Sequence, residues 1–241
     1  MKLDLRDIPV YYINMKEDVV KRERMEKLGK LCGFKSFNRV EGTRLPIPAG
    51  CAASHLSIMK DKKPPFIILE DDCIIKSFIP EINVPEDADA LYLGISSWGR
   101  LDSQSGEYVL TSLVNQGFLR VYNMLSTHAM LFLSERYVST CEAIADYSMN
   151  LPAHLDVGYA EVHKFYNIYA FDDPMFFQTS SEGTDNPLTS YNGFHAKDWC
   201  WVKHDNHPWR SRASNHQYPT MPSIAGYVAG NSTPLPRNKN Q

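Results

Sequence analysis

Apolar and polar positions divide the chain into short strand-like runs separated by segments with helical spacing. Residues 8–14 are rich in β-branched and aromatic side chains, which favour a strand. In the next segment apolar residues recur at helical spacing between Asp18, a candidate N-cap, and Gly33, a candidate C-terminal stop. A short strand over residues 36–40 completes a β-α-β unit, the start of an open α/β sheet. Ligands of such sheets bind at the carboxyl ends of the strands.

The same alternation continues as far as residue 178. Further helices are predicted over residues 49–60, 134–147 and 155–165, and strands over residues 66–69, 90–94, 126–133 and 167–171. Residues 107–110 and 117–122 indicate a hairpin or a pair of edge strands. Residues 66–69 are continuously apolar, which is typical of a central strand covered on both faces. We therefore expect an α/β fold with a single Rossmann-like mixed sheet flanked by helices.

The composition agrees with a folded globular protein. At 241 residues the chain is long enough for one domain, or for one domain with an appendage. The first residues lack the apolar stretch of a signal peptide, and no later run is long enough to span a bilayer, so we expect a soluble, cytoplasmic protein. The cysteines are odd in number and lack CxxC spacing, which indicates buried free thiols rather than disulfides or zinc. They are Cys32, Cys51, Cys73, Cys141 and Cys200.

The C-terminal region differs from the rest of the chain. Residues 197–241 contain six Lys or Arg and two acidic residues, whereas the whole chain has a net charge of -3. Periodicity fades beyond Gln178, and we expect the end of the chain to be disordered. A basic tail would attract an anionic acceptor such as nucleic acid or a phosphorylated glycan, and it equally suits a segment that is simply solvated.

Three adjacent carboxylates follow the predicted strand over residues 66–69. They are Glu70, Asp71 and Asp72, and a second apolar run begins at Cys73. At roughly 5 Å and an effective dielectric constant of about 20, each pair of such charges repels by about 3 kcal/mol. A divalent cation with oxygen ligands, Mg²⁺ or Mn²⁺, would remove that repulsion, and either ion also neutralises a diphosphate. The alternative is a solvated acidic turn, which the apolar runs on both sides make less favourable.

Several short motifs, taken in order, are similar to those of glycosyltransferase family 25, which includes lipooligosaccharide and procollagen galactosyltransferases. The similar segments lie between residues 8 and 182. They are Tyr12-Ile13-Asn14-Met15, Arg22-Glu23-Arg24-Met25, Glu41-Gly42, Gly50-Cys51-Ala52-Ala53-Ser54-His55-Leu56, Leu69-Glu70-Asp71-Asp72, Tyr92-Leu93-Gly94, Thr127-His128-Ala129-Met130, Pro152-Ala153-His154-Leu155-Asp156, Pro174 and Gln178. The ordered series is more specific than any single motif.

This resemblance implies a GT-A type nucleotide-diphospho-sugar transferase fold over residues 1–190. It also implies an inverting transfer of galactose or glucose from a UDP-sugar, with Mn²⁺ or Mg²⁺ on the diphosphate. Residues 191–241 would be a basic extension that packs on the domain. On this resemblance Asp72, with Glu70, would hold the metal, and Asp71 and Asn14 would lie near the ribose or base. The remaining nucleotide-pocket residues implied by the resemblance are Arg22, Arg24, Ser54 and His55.

An inverting transfer needs a base that takes the proton of the acceptor hydroxyl, a task that suits a carboxylate. Asp156 is the candidate, because it lies at a predicted helix start and in a segment that resembles the family. Its alternative role is that of an N-cap. Asp172 and Asp173 form a second candidate pair, and acids before a proline such as Pro174 also commonly make a turn.

Other histidines and tryptophans leave two interpretations open. His55 fits a nucleotide contact or a satisfied core histidine. The segment His204-Asp205-Asn206-His207 fits a metal ligand or a polar loop. Trp199, Trp201 and Trp209 fit stacking on a sugar or base, or packing of the C-terminal segment onto the sheet.

Two other classes of function remain open. A metal-dependent phosphoesterase or nuclease would use the same carboxylates, but it would need further carboxylates on neighbouring strands, and residues 94–98 offer none. A non-catalytic carbohydrate- or nucleotide-binding protein would keep the fold without turnover. For a transferase, the acceptor hydroxyl could belong to a glycan, a protein or a hydroxylated nucleobase.

Overall fold

The computed structural model describes most of the first 178 residues. The described ranges are 1–46, 48–96, 99–101, 104–106, 109–115, 117–150, 153–171 and 173–178. The strands are β1 Lys2–Asp4, β2 Val10–Asn14, β3 Phe37–Glu41, β4 Phe66–Glu70, β5 Cys73–Ile75, β6 Glu81–Asn83, β7 Ala90–Tyr92, β8 Gly99–Leu101, β9 Gln104–Gly106, β10 Thr111–Asn115, β11 Phe118–Val121, β12 Ala129–Phe132, β13 Ile168–Phe171 and β14 Phe176–Gln178. The helices are α1 Val19–Cys32, α2 Ala49–Asp61, α3 Glu135–Asn150 and α4 Leu155–Val162, with short 3₁₀ turns at Leu5–Asp7 and His163–Phe165.

The main sheet has eight strands and is mixed. Its order is β10-β11-β13-β7-β12-β4-β2-β3. Strand β2 pairs in parallel with β3 and β4, and β7 pairs in parallel with β13. Strand β12 lies between β4 and β7 and runs against both of them. The carboxyl ends of β2, β3, β4 and β7 therefore lie at one edge of the sheet, which is the edge where ligands bind in open α/β folds.

Helices cover both faces of this sheet. Phe66 and Ile68 of β4 join a buried cluster that includes side chains of α2, α3 and α4. Ile67 and Leu69 point to the other face and join a cluster that includes side chains of α1. Because successive side chains of a strand point to opposite faces, a strand covered on both faces is apolar at every position. The expected α/β architecture and the central position of this apolar run are confirmed.

The first helix begins and ends at the residues that the sequence indicates. The Asp18 side chain accepts a hydrogen bond from the backbone N–H of Lys21 at 3.1 Å, which caps the amino end of α1. Gly33 follows the last residue of α1 with a φ of 70°, and its N–H bonds to carbonyl groups of the last turn. Only a residue without a side chain adopts this left-handed conformation at little cost.

Some expectations need correction. The sheet is not single, because three two-stranded sheets form beside it: β1 with β6, β5 with β14, and β8 with β9. Their strands have three residues each, too few to produce a periodic pattern. The predicted hairpin is present, but its first strand is β10, later in the chain than residues 107–110. None of the helices in the described ranges is both long and apolar enough to cross a membrane.

Candidate functional site

The acidic triplet forms the connection between β4 and β5. Glu70 ends β4 at the carboxyl edge of the sheet, and β5 begins at Cys73. The backbone N–H of Glu70 donates to the carbonyl of His128 at 2.8 Å, and the Cys73 thiol donates to the same carbonyl at 2.6 Å. Both ends of the turn are therefore fixed to the segment that leads into β12, and the three carboxylates have defined directions.

Asp71 is surrounded by polar groups of β2 and α1. Its Oδ2 accepts a hydrogen bond from Asn14 Nδ2 at 2.7 Å, and its Oδ1 lies 3.4 Å from Lys21 Nζ. Arg24 Nη2 donates to the Asp71 carbonyl at 2.8 Å. Arg39 fixes the Asn14 amide by donating to its Oδ1 at 3.0 Å. Asn14, Arg24 and Asp71, three of the predicted nucleotide-site residues, therefore lie together beside two basic side chains.

Glu70 is held from the other side of the turn. His55 Nε2 lies 3.0 Å from Glu70 Oε1, and the Thr127 hydroxyl donates to the same oxygen at 2.6 Å. Burial alone would raise the pKa of Glu70. The hydrogen bond and charge of His55, together with the Thr127 hydroxyl, outweigh burial and hold the pKa of Glu70 below its ordinary value. The hydrogen bonds to Glu70 Oε1 therefore favour the ionised form of this carboxyl group.

Asp72 has a different environment. It is buried, with 9% of its surface exposed, and its Oδ2 accepts a hydrogen bond from Gln178 Nε2 at 2.9 Å. Burial, and after it the negative charge of Glu70, raise the pKa of Asp72 to about 7. The hydrogen bond from Gln178 acts in the opposite direction but does not cancel them. A buried carboxylate in this field gains from a nearby cation, and its oxygen donors suit Mg²⁺ or Mn²⁺.

Asp156 lies in the first turn of α4, and His154 occupies the N-cap. The alternative that Asp156 is the N-cap is therefore wrong. Burial raises the pKa of Asp156, the charge of Glu70 raises it further, and His154 and the first-turn amides oppose the increase. Because Glu70 acts on Asp156 electrostatically, the start of α4 and the acidic turn share one electrostatic environment.

The other two predicted nucleotide-site residues have local roles. The Ser54 hydroxyl is buried, donates to the Gly50 carbonyl at 2.7 Å and accepts the Thr43 N–H at 2.8 Å. It joins α2 to the loop that follows β3. Arg22 is half-buried on α1, and its charge acts on the Tyr12 hydroxyl. Neither contact involves the acidic turn.

The remaining candidates lie apart from these residues or outside the described part of the chain. Asp173 is exposed and forms an ion pair with Lys76, which directly follows β5. Asp172, the segment His204-Asp205-Asn206-His207 and the three tryptophans Trp199, Trp201 and Trp209 lie outside the described residues.

Besides Arg39 on β3, three residues of the site were not predicted as site residues. Lys21 lies one helical turn before Arg24, so the spacing of basic residues on α1 was the available signal. Thr127 lies within the predicted strand over residues 126–133, and nothing local indicated that its hydroxyl would reach Glu70. Gln178 lies 106 residues from Asp72 in sequence and reaches it because β14 pairs with β5. Only the tertiary structure brings Gln178 and Asp72 together.

The fold and the site define the chain as an α/β protein with a group of carboxylates at the carboxyl edge of a mixed sheet. Neither a protein-family model nor a curated protein matches the sequence.

Proposed function

We propose that the chain is a metal-dependent, inverting glycosyltransferase of the GT-A type that transfers a hexose, galactose or glucose, from a UDP-sugar to an acceptor hydroxyl. The single observation that carries this proposal is the contrast within the acidic turn. Hydrogen-bond donors hold the pKa of Glu70 below its ordinary value, whereas burial and the charge of Glu70 raise the pKa of Asp72 to about 7 in spite of the hydrogen bond from Gln178. Asp72 would hold a divalent cation, which would compensate this charge and neutralise a diphosphate.

The surroundings of the turn suit a nucleoside diphosphate. Lys21 and Arg24 supply positive charge on the α1 side, and Asn14 supplies an amide fixed by Arg39. These groups come from the carboxyl end of β2 and the first half of α1. In open α/β sheets, nucleotides bind in the crevice at the carboxyl ends of the strands. Mg²⁺ or Mn²⁺, when bound, would stabilise the charge that develops on the leaving diphosphate.

Asp156 would be the base in this reaction. It lies at the amino end of α4, and its pKa is raised by burial and by Glu70. A carboxylate whose pKa is raised is a stronger base than an unperturbed carboxylate. The acceptor hydroxyl would donate its proton to Asp156 as its oxygen attacks the anomeric carbon, and the diphosphate would leave from the opposite face of the sugar.

Release of UDP from UDP-galactose and UDP-glucose, measured with and without Mn²⁺, tests the proposal. We expect Mn²⁺-dependent release that falls about 100-fold in Asp72→Asn, because the loss of one metal ligand costs several kcal/mol in the transition state. Asp146→Asn, at an exposed carboxylate on α3, is the matched control and should keep full activity.

The role of Asp156 has its own readout. Asp156→Asn should lower turnover about 100-fold while UDP-sugar binding, followed by calorimetry, is unchanged. Absence of any UDP-sugar binding in the presence of Mn²⁺ would refute the proposed function. Hydrolysis of simple phosphodiesters by the wild type, lost in Asp72→Asn, would instead favour the phosphoesterase alternative.

A further inference from the structure

A second group of metal-ligating side chains lies on the α2 side of Glu70. Cys51 and His55 are four residues apart on α2, so both point from the same face of the helix. Each of Cys51, His55 and Glu70 offers one potential ligand atom: the thiol sulfur, an imidazole nitrogen and a carboxylate oxygen. These three atoms lie within 4.8 Å of one another. Two ligands at this helical spacing, with a third from another element, are a frequent design of zinc sites.

The group has a buried side and an accessible side. His55 is completely buried, and its Nδ1 has no hydrogen-bond partner among the described residues. Cys51 is exposed, contrary to the expectation that the cysteines are buried, whereas the other three cysteines of the described ranges are buried. A cation from solvent can therefore reach the thiol, and the ligand atoms of the imidazole and the carboxylate lie within 4.8 Å of it.

The separation of the donors fits a tetrahedral ion. His55 Nε2 and Glu70 Oε1 are 3.0 Å apart. Ligands at about 2.0 Å from a tetrahedral zinc ion are separated from each other by roughly 3.3 Å. A cation can therefore replace the hydrogen bond between these two groups with only a small displacement of either side chain.

We propose that Cys51, His55 and Glu70 form a binding site for a thiophilic divalent cation of the Zn²⁺ class. The site is distinct from the oxygen-ligand cation at Asp72, because a thiolate and an imidazole select softer ions than Mg²⁺ or Mn²⁺. On binding, the sulfur–metal bond forms as the Cys51 thiol releases its proton to solvent. A water molecule completes four-coordination. The inference does not rest on the proposed sugar transfer, because it concerns only these three donors.

Titration with Co²⁺, a spectroscopic substitute for Zn²⁺, tests the proposal on the full chain in the absence of any nucleotide sugar. We expect one equivalent of Co²⁺ to produce a thiolate-to-cobalt charge-transfer band in the near ultraviolet, which Zn²⁺ then removes by displacement. Cys51→Ser should lose the band and weaken Zn²⁺ binding about tenfold or more. Because Cys51 is exposed, this substitution should leave the circular dichroism spectrum unchanged.

Cys200→Ser is the matched control, because it removes a thiol from the histidine-containing C-terminal region and leaves α2 intact. It should keep the charge-transfer band. The proposal is overturned if the wild type shows no band, if Cys51→Ser retains it, or if Cys200→Ser loses it. Since no sugar donor is present, none of these results bears on the proposed transferase activity.

Discussion

Two buried aspartates at opposite edges of the main sheet have opposite electrostatic environments. Asp89 directly precedes β7 at the amino edge, whereas Asp72 follows β4 at the carboxyl edge. Asp89 accepts hydrogen bonds from Arg136 Nε at 2.7 Å, from the Ser134 hydroxyl at 2.6 Å and from the Asn167 N–H at 2.8 Å. Burial alone would raise the pKa of Asp89, but these donors outweigh burial and hold the pKa below its ordinary value.

Asp72 is also buried, but its neighbours include Glu70 and Asp71, and its pKa is raised to about 7. The protein supplies Asp89 with Arg136 as a cationic partner, whereas at Asp72 burial and the charges of Glu70 and Asp71 outweigh the hydrogen bond from Gln178 and the charge of Lys21. A carboxylate of the first kind stabilises the fold, and one of the second kind lowers stability until a cation or a proton arrives. In the proposed function, this difference separates a structural carboxylate, Asp89, from one that would bind a cation, Asp72.

The largest stability effect that the comparison predicts is a gain at Asp72. Because its pKa in the folded state lies above its unfolded value, the stability gained from the bound proton is complete below about pH 4 and is lost as pH rises through about 7. Asp72→Asn should therefore stabilise the metal-free protein by at most about 4 kcal/mol at pH 8. Urea denaturation in the presence of a chelator, at pH 5 and pH 8, measures this difference. An equal effect at both pH values would contradict the assignment.

The second prediction concerns Asp89 and has the opposite sign. Arg136→Met keeps the aliphatic stem but leaves Asp89 without its cation. The substitution should therefore destabilise the protein by about 2 to 3 kcal/mol at pH 7. This loss is smaller than that for a fully buried pair, because the Arg136 side chain is half-exposed. Because the pKa of Asp89 is lowered in the folded protein, this carboxylate stabilises the fold at pH values above its pKa in the unfolded chain. The contribution disappears as pH falls through the pKa that Asp89 has in the folded protein. The difference between variant and wild type should thus shrink at acid pH. A loss that stays constant down to pH 3 would show that packing is the cause.

The smallest effect concerns Glu70, the carboxylate that shares the turn with Asp72 but has protein donors. Thr127→Val removes a hydrogen bond to a charged group and should cost about 1.5 kcal/mol. Thr140→Val is the matched control, because Thr140 is also buried and its hydroxyl bonds to the neutral Tyr166 hydroxyl. Loss of the hydrogen bond between Thr140 and Tyr166 should cost about half as much. Equal losses in the two variants, measured by urea denaturation, would mean that the charge of Glu70 contributes little.

The sequence was sufficient for the elements that have a clear period or cap. Strand β4 is apolar up to its last residue, Glu70, and α1 lies between a capping Asp18 and Gly33, so both were predicted close to their observed bounds. The three-residue strands β5 and β14 carry no such signal, and their pairing depends on the rest of the fold. The same pairing brings Gln178 to Asp72, which explains why that contact escaped prediction.

The candidate site was predictable where chemistry and position coincide in sequence. Three adjacent carboxylates after a buried strand indicated the acidic turn, and the resemblance to glycosyltransferase family 25 indicated Asn14. The opposite environments of Glu70 and Asp72 could not be predicted, because they depend on His55, Thr127 and Gln178, which come from three different elements or loops. Adjacent carboxylates of the same chemistry therefore acquire different pKa values only through tertiary contacts.

The most direct test of the account is Mn²⁺ binding at pH 8, followed by electron paramagnetic resonance of the free ion and by thermal melting. The wild type and the Asp146→Asn control should bind Mn²⁺ and melt at a higher temperature with it, whereas Asp72→Asn should lose both effects. Binding of Mn²⁺ by Asp72→Asn with wild-type affinity would contradict the claim that the raised pKa of Asp72 marks a cation site.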